Sequence, residues 1–475
     1  MILGLSTTEQ FARFTSVRRK IFYDLPQGAA PLTGLTSMLK EETCSDPEFN
    51  WWEKRYREQW TITAEAASSK GPFGGSGATT NDSWGTTLRT GGAGIDAGGA
   101  TVVGEKISIK VADRTQFRVG HIIEMRGAAI TGGTFQNLYL RVGQLSATAG
   151  WLDCYILNVV SAGLINNASA ANTGLYILII GSSFGQGAVG ASSSIPITPI
   201  NPGNYCQIFR TEYKLTGTAM AAAVKWDGTG PYPDRAKEAA IDHMVEMEKA
   251  FLFGTRSKTL ETATGYYDTP TYTTGGIMWG LRGWELGSSA SGITGEWGWN
   301  YRSSASVAAA AWTDDNKRII DLSSTPLTES IYDTLCERIF RVNNNKANEK
   351  LVFCGTGALN IINQLYKSKG VLTADLPMTD TYGMDVRKHV CPFGTLYYKT
   401  HPLFSQNPVL RYSMMFVDVG NLVYRYMRGR DTDLLMNRQE NNADYRLDEW
   451  LTECGLEIRF PETFMFLQNI LTYAP

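Results

Sequence analysis

Motifs that carry chemistry are nearly missing from this chain. It has no G-x-x-x-x-G-K-[ST] loop to cradle a triphosphate and no H-E-x-x-H helix to hold zinc, and no acid/base pair with a pocket around it stands out. The seven cysteines, Cys44, Cys154, Cys206, Cys336, Cys354, Cys391 and Cys454, are scattered, odd in number and without a C-x-x-C pair. That pattern fits free thiols in a reducing compartment. No run of about 18 apolar residues is present to cross a bilayer as a helix. The opening MILGLSTTEQFARF lacks the basic-then-apolar order of a signal peptide, so a protein made in the cytoplasm and soluble there is expected. Charge is sparse at 19% and nets only -2, which argues against a binder driven by phosphate neutralisation.

What the chain has instead is length, aromatics and two kinds of periodicity. At 475 residues it exceeds the usual single core, so two or more subdomains are expected. Aromatics at 11% with few charges suit a protein that buries surface against partners, and equally a large β-rich core. Between Ala223 and Gly254, the residues Ala236, Ala240, Met244, Met247 and Phe251 recur at steps of three and four. This spacing predicts a helix over 233–253 with one apolar stripe, started by Pro233 and Asp234 and stopped by Gly254. Its other face carries Asp234, Lys237, Glu238, Asp242 and Glu246, which reads as a girder and not a catalytic element.

From Val102 to about Ser182 the period is two: KISIKVAD, FRVGHIIEM, LYLRVGQL, WLDCYILNVV and GLYILII, parted by Gly, Asn and Ser turns. Short antiparallel strands are expected, as a long hairpin or a small barrel. Gly/Ser/Thr-rich stretches at 71–100 and 185–203 flank it and read as flexible. Residues 1–70 read as an arm with Trp51, Trp52, Tyr56 and Trp60, packed on the body or on another subunit. Later come QIFRTEYKLTGTA as a strand, a Trp-rich loop region over 265–324, a helix after Thr325-Pro326, the strand KLVFCG and the helix ALNIINQLYKS. Paired strands close the chain: VRKHVC with GTLYYKT, VLRYSMMFVDV with LVYRYM, and finally LTECGLEIRF.

Each candidate site has a plainer reading beside it. Gly181-Ser182-Ser183-Phe184-Gly185 fits G-x-S-x-G, but QGAVGASSSIPITPINPG follows where a nucleophile elbow needs a helix. Gly355-Thr356-Gly357 hints at a dinucleotide turn, but Asn360 stands where the third glycine belongs, and a tight strand-to-helix turn explains it. His389, Cys391 and His401 can be a metal cluster or a packed strand face. Tryptophans over 279–312 can stack on sugars or pin a loop. Arg13, Arg18, Arg19 and Lys20 form the one basic cluster, read as a solvated or partner-docked arm or as a contact with nucleic acid. No cofactor or metal follows from any of these.

QIFRTEYKLTGTA, HMVEMEKAFLFGTRS, TGGIMWGL, the helix–strand–helix unit at 326–369 and the closing strands at 386–470 resemble the major capsid proteins of tailed bacteriophages. The resemblance implies an α+β Hong Kong 97-like capsid fold: N-terminal arm 1–70, extended loop 71–203 with a β-rich insertion over about 102–182, peripheral domain 204–325 with a spine helix 233–253, axial domain 326–430 and a return over 431–475. It implies no enzyme but a subunit that self-assembles into hexamers and pentamers, forming an icosahedral shell around double-stranded DNA. The implied partners are further copies, a portal, a separate scaffolding protein and cement proteins. Arg13, Arg18, Arg19 and Lys20 would face the DNA or a neighbouring subunit. The shell would be assembled in the host cytoplasm and form the virion capsid. The covalent Lys–Asn cross-link of one family member has no placeable residues here. A sugar-binding or adhesive virion protein built on the Trp-rich loops is the rival reading, and a hydrolase using Ser183 the third.

Overall fold

A computed structural model describes residues 40–54, 60–63, 106–129, 135–145, 150–158, 174–186, 194–197, 199–221, 231–260, 270–286, 318–342, 348–368, 378–381 and 384–471. Helices and strands alternate irregularly along the chain, in an α+β arrangement of two compact units. One unit joins Met1–Glu53 to Ile200–Pro475; the other is Lys54–Pro199.

The larger unit, the body, is built on two sheets. In the first, strand Tyr445–Ile458 runs antiparallel to Gln207–Thr216 on one side and to Leu422–Met427 on the other, with Glu41–Cys44 added in parallel at the edge. The second sheet has seven strands, in the order Ile319–Asp321, Met465–Gln468, Met414–Val417, Glu349–Cys354, Gly394–Thr400, Met384–Cys391, Met378–Thr381. Alternation along these strands supplies two cores, because successive side chains point to opposite faces. Leu351, Phe353, Tyr397, Met415, Val417 and Phe466 face one core, shared with Met244, Met247 and Phe251 of the long helix. Val352, Cys354, Leu396, Tyr398, Met414 and Phe416 face the other, covered by helices Glu329–Arg341 and Thr356–Ser368.

The long helix runs Pro231–Phe253, two residues earlier than its periodicity predicts. Ala240, Met244, Met247 and Phe251 are buried, and Lys237, Glu238, Asp242 and Glu246 are exposed, as the stripe requires. Its end depends on closeness: a Cβ on Gly254 would press on the carbonyls of Ala250 and Thr274. Helix Glu329–Arg341 is capped by Thr328, whose hydroxyl accepts from the Ile331 amide at 3.3 Å, and it ends on Arg338 and Arg341, which suit the negative end of its dipole.

Two expectations fail here. Ile277–Leu286, within the stretch read as loop, is a helix. Its glycine-rich approach serves packing, since a Cβ on Gly276 would lie 2.6 Å from the Ala250 carbonyl oxygen. The strand expected from Val409 begins only at Met414; residues 407–413 turn, with the Leu410 and Arg411 amides bonded back to the Asn407 carbonyl.

The smaller unit is the barrel, the second of the two forms the alternation allowed. Its six antiparallel strands run in the order Trp60–Ile62, Tyr176–Ser182, His121–Ala129, Phe135–Leu145, Trp151–Ile156, Lys106–Lys110. The sheet closes on itself where Thr63 bridges Val111, helped by the Asp113 amide donating to the Thr61 hydroxyl at 3.2 Å. Ile109, Ile123, Met125, Leu138, Leu140, Val142, Leu152 and Ile156 fill the interior.

Candidate assembly surface

The motifs with a chemical reading come apart in three dimensions. Ser183 leaves strand Tyr176–Ser182 without entering a helix; residues 183–186 are irregular. Its amide donates to the Gly120 carbonyl at 2.8 Å, and its carbonyl accepts from Arg141 at 3.1 Å. The nearby His121 is opposite Ser182, and its Nε2 accepts from Arg118 Nε at 2.9 Å, so that nitrogen is not available as a general base. The elbow that a serine nucleophile needs is not built here.

At Gly355-Thr356-Gly357 the helix N-terminus is already occupied. The Arg411 carbonyl accepts from the Ala358 amide at 3.2 Å, and a Cβ on Gly357 would strike the Tyr412 ring at 2.7 Å. A phosphate would have to displace this segment, so the tight-turn reading holds.

His389, Cys391 and His401 do not converge as ligands. His401 is fully buried; its Nδ1 accepts from the Leu403 amide at 3.1 Å, which makes Nε2 the donor to Glu248 at 2.7 Å. The pair ties the long helix to the end of strand Gly394–Thr400. His389 stands beside the rings of Tyr332 and Tyr398. Among the described residues no group of three or more metal-type side chains could hold an ion.

Of the tryptophans read as sugar stackers, Trp279 is buried on its helix among Cys44, Phe49, Trp51 and Cys206. Trp297, Trp299 and Trp312 lie outside the described residues, as do Arg13, Arg18, Arg19 and Lys20. Trp51 donates from its indole to Glu53 at 2.9 Å and packs on the body, whereas Trp52 is 70% exposed.

The surface itself carries the more informative pattern. Strand Tyr176–Ser182 sends Ile177 into the barrel and presents Tyr176, Leu178 and Ile180 outward, with Tyr176 63% exposed. An antiparallel barrel strand facing water should alternate with polar residues. Three large apolar side chains on one outward row instead make this face a candidate contact surface. Beside it lies an open cavity of about 310 Å³, lined by Arg118, His121, Ile180, Ser182 and Ile195. On the body, Val390 and Val409 are also strongly exposed. The long helix turns an ion-paired face outward, with Arg235 and Glu238 at 2.6 Å.

Sequence reading missed the polar groups that fasten the body internally. Lys350 Nζ sits 3.0 Å from Asp418 Oδ2 and 3.0 Å from the Thr463 carbonyl, with both charged side chains at 1% exposure. Burial pulls the lysine pKa down, while Asp418 pulls it up. On the long helix, His243 bridges the hydroxyls of Thr211 at 3.0 Å and Thr452 at 2.8 Å, and burial lowers its pKa to about 4. A lone His or Lys in an apolar stretch gives no sign of such pairing in sequence; only the partner's position reveals it.

A family model described as SU10 major capsid protein matches residues 6–471. The major capsid protein of Pseudomonas phage PaMx41 is 25% identical over 274 residues, covering 57% of this chain and 55% of that protein, so the chain spans about half the length of this curated relative. Similar solved structures include the capsid asymmetric unit of cyanophage A-1(L), at 11% identity over 61% of this chain and 85% of that one, TM-score 0.36. Another is the holo-SrpI encapsulin complex of Synechococcus elongatus PCC 7942, at 9% identity over 59% and 80%, TM-score 0.36.

Proposed function

The chain belongs to the SU10 major capsid protein family, and we propose that it is the shell subunit of a phage head. Copies assemble into hexamers and pentamers of a Hong Kong 97-like icosahedral shell around double-stranded DNA. The observation that carries this reading is the extent of the family match, which runs through both the body and the barrel segment.

In this reading the expected peripheral segments 204–325 and 431–475 and the axial segment 326–430 exchange strands. Leu422–Met427 joins the sheet centred on Tyr445–Ile458 beside the long helix, while Ile319–Asp321 and Met465–Gln468 join the seven-stranded sheet of the axial domain. The barrel is the insertion on the extended loop. Arg13, Arg18, Arg19 and Lys20 supply contacts to DNA or to a neighbour. Portal, scaffolding and cement proteins complete the particle, which is assembled in the host cytoplasm. Many moderate contacts, and no enclosed reaction site, are what a shell demands of its subunit.

Analytical ultracentrifugation of the full chain, alone and with its scaffolding protein, tests the proposal. Species of five or six copies, or larger closed particles, support it. A strict monomer under both conditions contradicts it.

A further inference from the structure

Four of the seven cysteines meet in pairs. Cys44 and Cys206 share a thiol hydrogen bond, and Cys391 Sγ lies 3.8 Å from Cys336 Sγ. The second pair has a geometry that goes further. Cys336 and Phe340 stand one turn apart on helix Glu329–Arg341, on one face. Cys391 and Gly394 are partners across the turn between strands Met384–Cys391 and Gly394–Thr400. The two couples lie against each other: a Cβ on Gly394 would come 2.5 Å from the Phe340 ring, so hairpin and helix are in full contact where the thiols face each other.

Access and reactivity fit as well. Cys391 is buried, but it sits at the strand end beside exposed Val390, Pro392 and Phe393. The thiol–thiol hydrogen bond with Cys336 and the neighbouring His389 bring the Cys391 thiol down to about 6, while burial opposes them; the Cys336 thiol is pushed up. Of the two thiols, Cys391 is the one favoured to ionise, and it is the less deeply buried, at 7% exposure against 2% for Cys336.

We propose that Cys336 and Cys391 are an oxidation site that closes to a disulfide when the protein meets a hydroperoxide, stapling the covering helix to the strand hairpin. The Cys391 thiolate attacks a peroxide oxygen, the O–O bond breaks, and hydroxide leaves, taking a proton to become water. The resulting sulfenic acid is attacked at sulfur by Cys336, which loses its proton, and a second water leaves. Two thiols and one hydrogen peroxide thus give one disulfide and two waters. The sulfurs must close from 3.8 Å to about 2.05 Å, a shift shared by two side chains. Such a bond would be open in the reducing cytoplasm and closed in a particle outside it. The inference does not depend on the shell reading.

The test is peptide mapping of the full-length chain after treatment with hydrogen peroxide, alkylation under denaturing conditions and digestion without reductant. A Cys336–Cys391 linked peptide that disappears on adding dithiothreitol is the expected result, with Cys154, enclosed in the barrel, still alkylated. The unfolding midpoint should rise on oxidation in the native sequence and stay unchanged on oxidation in Cys336→Ala and in Cys391→Ala. Full alkylation of both cysteines after peroxide, or linkage of either one to a different cysteine, overturns the proposal.

Discussion

The body and the barrel fold around different chemistry. Inside the barrel the core cluster is apolar; of the buried carboxylates Asp153 and Glu124, the latter is held by Arg126, Asn137 and Tyr139. The body instead carries polar bonds deep between elements distant in sequence: Lys350 to Asp418, 68 residues apart, Glu248 to His401, 153 apart, and His243 to Thr452, 209 apart. The barrel is built from strands of one segment of the chain, where register and an alternating pattern fix most pairings, with Thr61 and Thr63 adding polar bonds to Asp113 and Leu175 where it closes. The body must dock a helix and late strands from separate parts of the chain, and directional buried bonds add a penalty for docking them wrongly.

The comparison breaks most visibly at the buried ion pair. Asp418→Ala leaves Lys350 charged and enclosed, and should cost about 3–5 kcal/mol by denaturant unfolding; a loss under about 1 kcal/mol would mean that the pair is not enclosed as described. In the barrel, Leu140→Ala removes only apolar contacts and should cost about 2–5 kcal/mol with no dependence on pH. If that loss varies with pH, the apolar reading of the barrel core is wrong.

Acid sharpens the contrast. His243 has a folded pKa of about 4 against an ordinary 6.5, so the folded state resists protonation. Its contribution is complete above the ordinary value and is lost as pH falls from there towards the folded value, amounting to about 2 kcal/mol by pH 5. Unfolding of the native protein and of His243→Gln, compared at pH 7 and pH 5, should show a smaller acid loss in the variant by about that amount. The smallest effect on stability is expected at the barrel's outer stripe. Leu178→Ser with Ile180→Ser should change the unfolding free energy by only about 0.5 kcal/mol, yet lower the yield of assembled particles. Normal assembly in that variant would show that the stripe is not covered in use.

The same contrast explains what was legible in the sequence. The long helix was visible because Ala240, Met244, Met247 and Phe251 repeat at its period, and the barrel strands because Ile107, Ile109 and Val111 repeat at theirs. Closure of the barrel was not, because among the described residues it rests on the Thr63–Val111 bridge and the Asp113–Thr61 bond, each between positions far apart in the chain. Helix Ile277–Leu286 was hidden by glycines that allow close packing but resemble a loop. The polar anchors and the Cys336–Cys391 contact were hidden for another reason: each partner alone looks like a core residue or a solvated charge. The candidate functional surface was legible only as an excess of aromatics and a shortage of charge. Its location on Tyr176, Leu178 and Ile180 needed to be seen on a barrel, because strand alternation alone does not say which face meets water.

Cryo-electron microscopy of the full chain, produced alone and with candidate scaffolding proteins, tests the central claim most directly. The account predicts closed icosahedral shells in which the outer face of strand Tyr176–Ser182 lies against another copy or a partner. Dispersed monomers, or particles in which that face is bare, would contradict it.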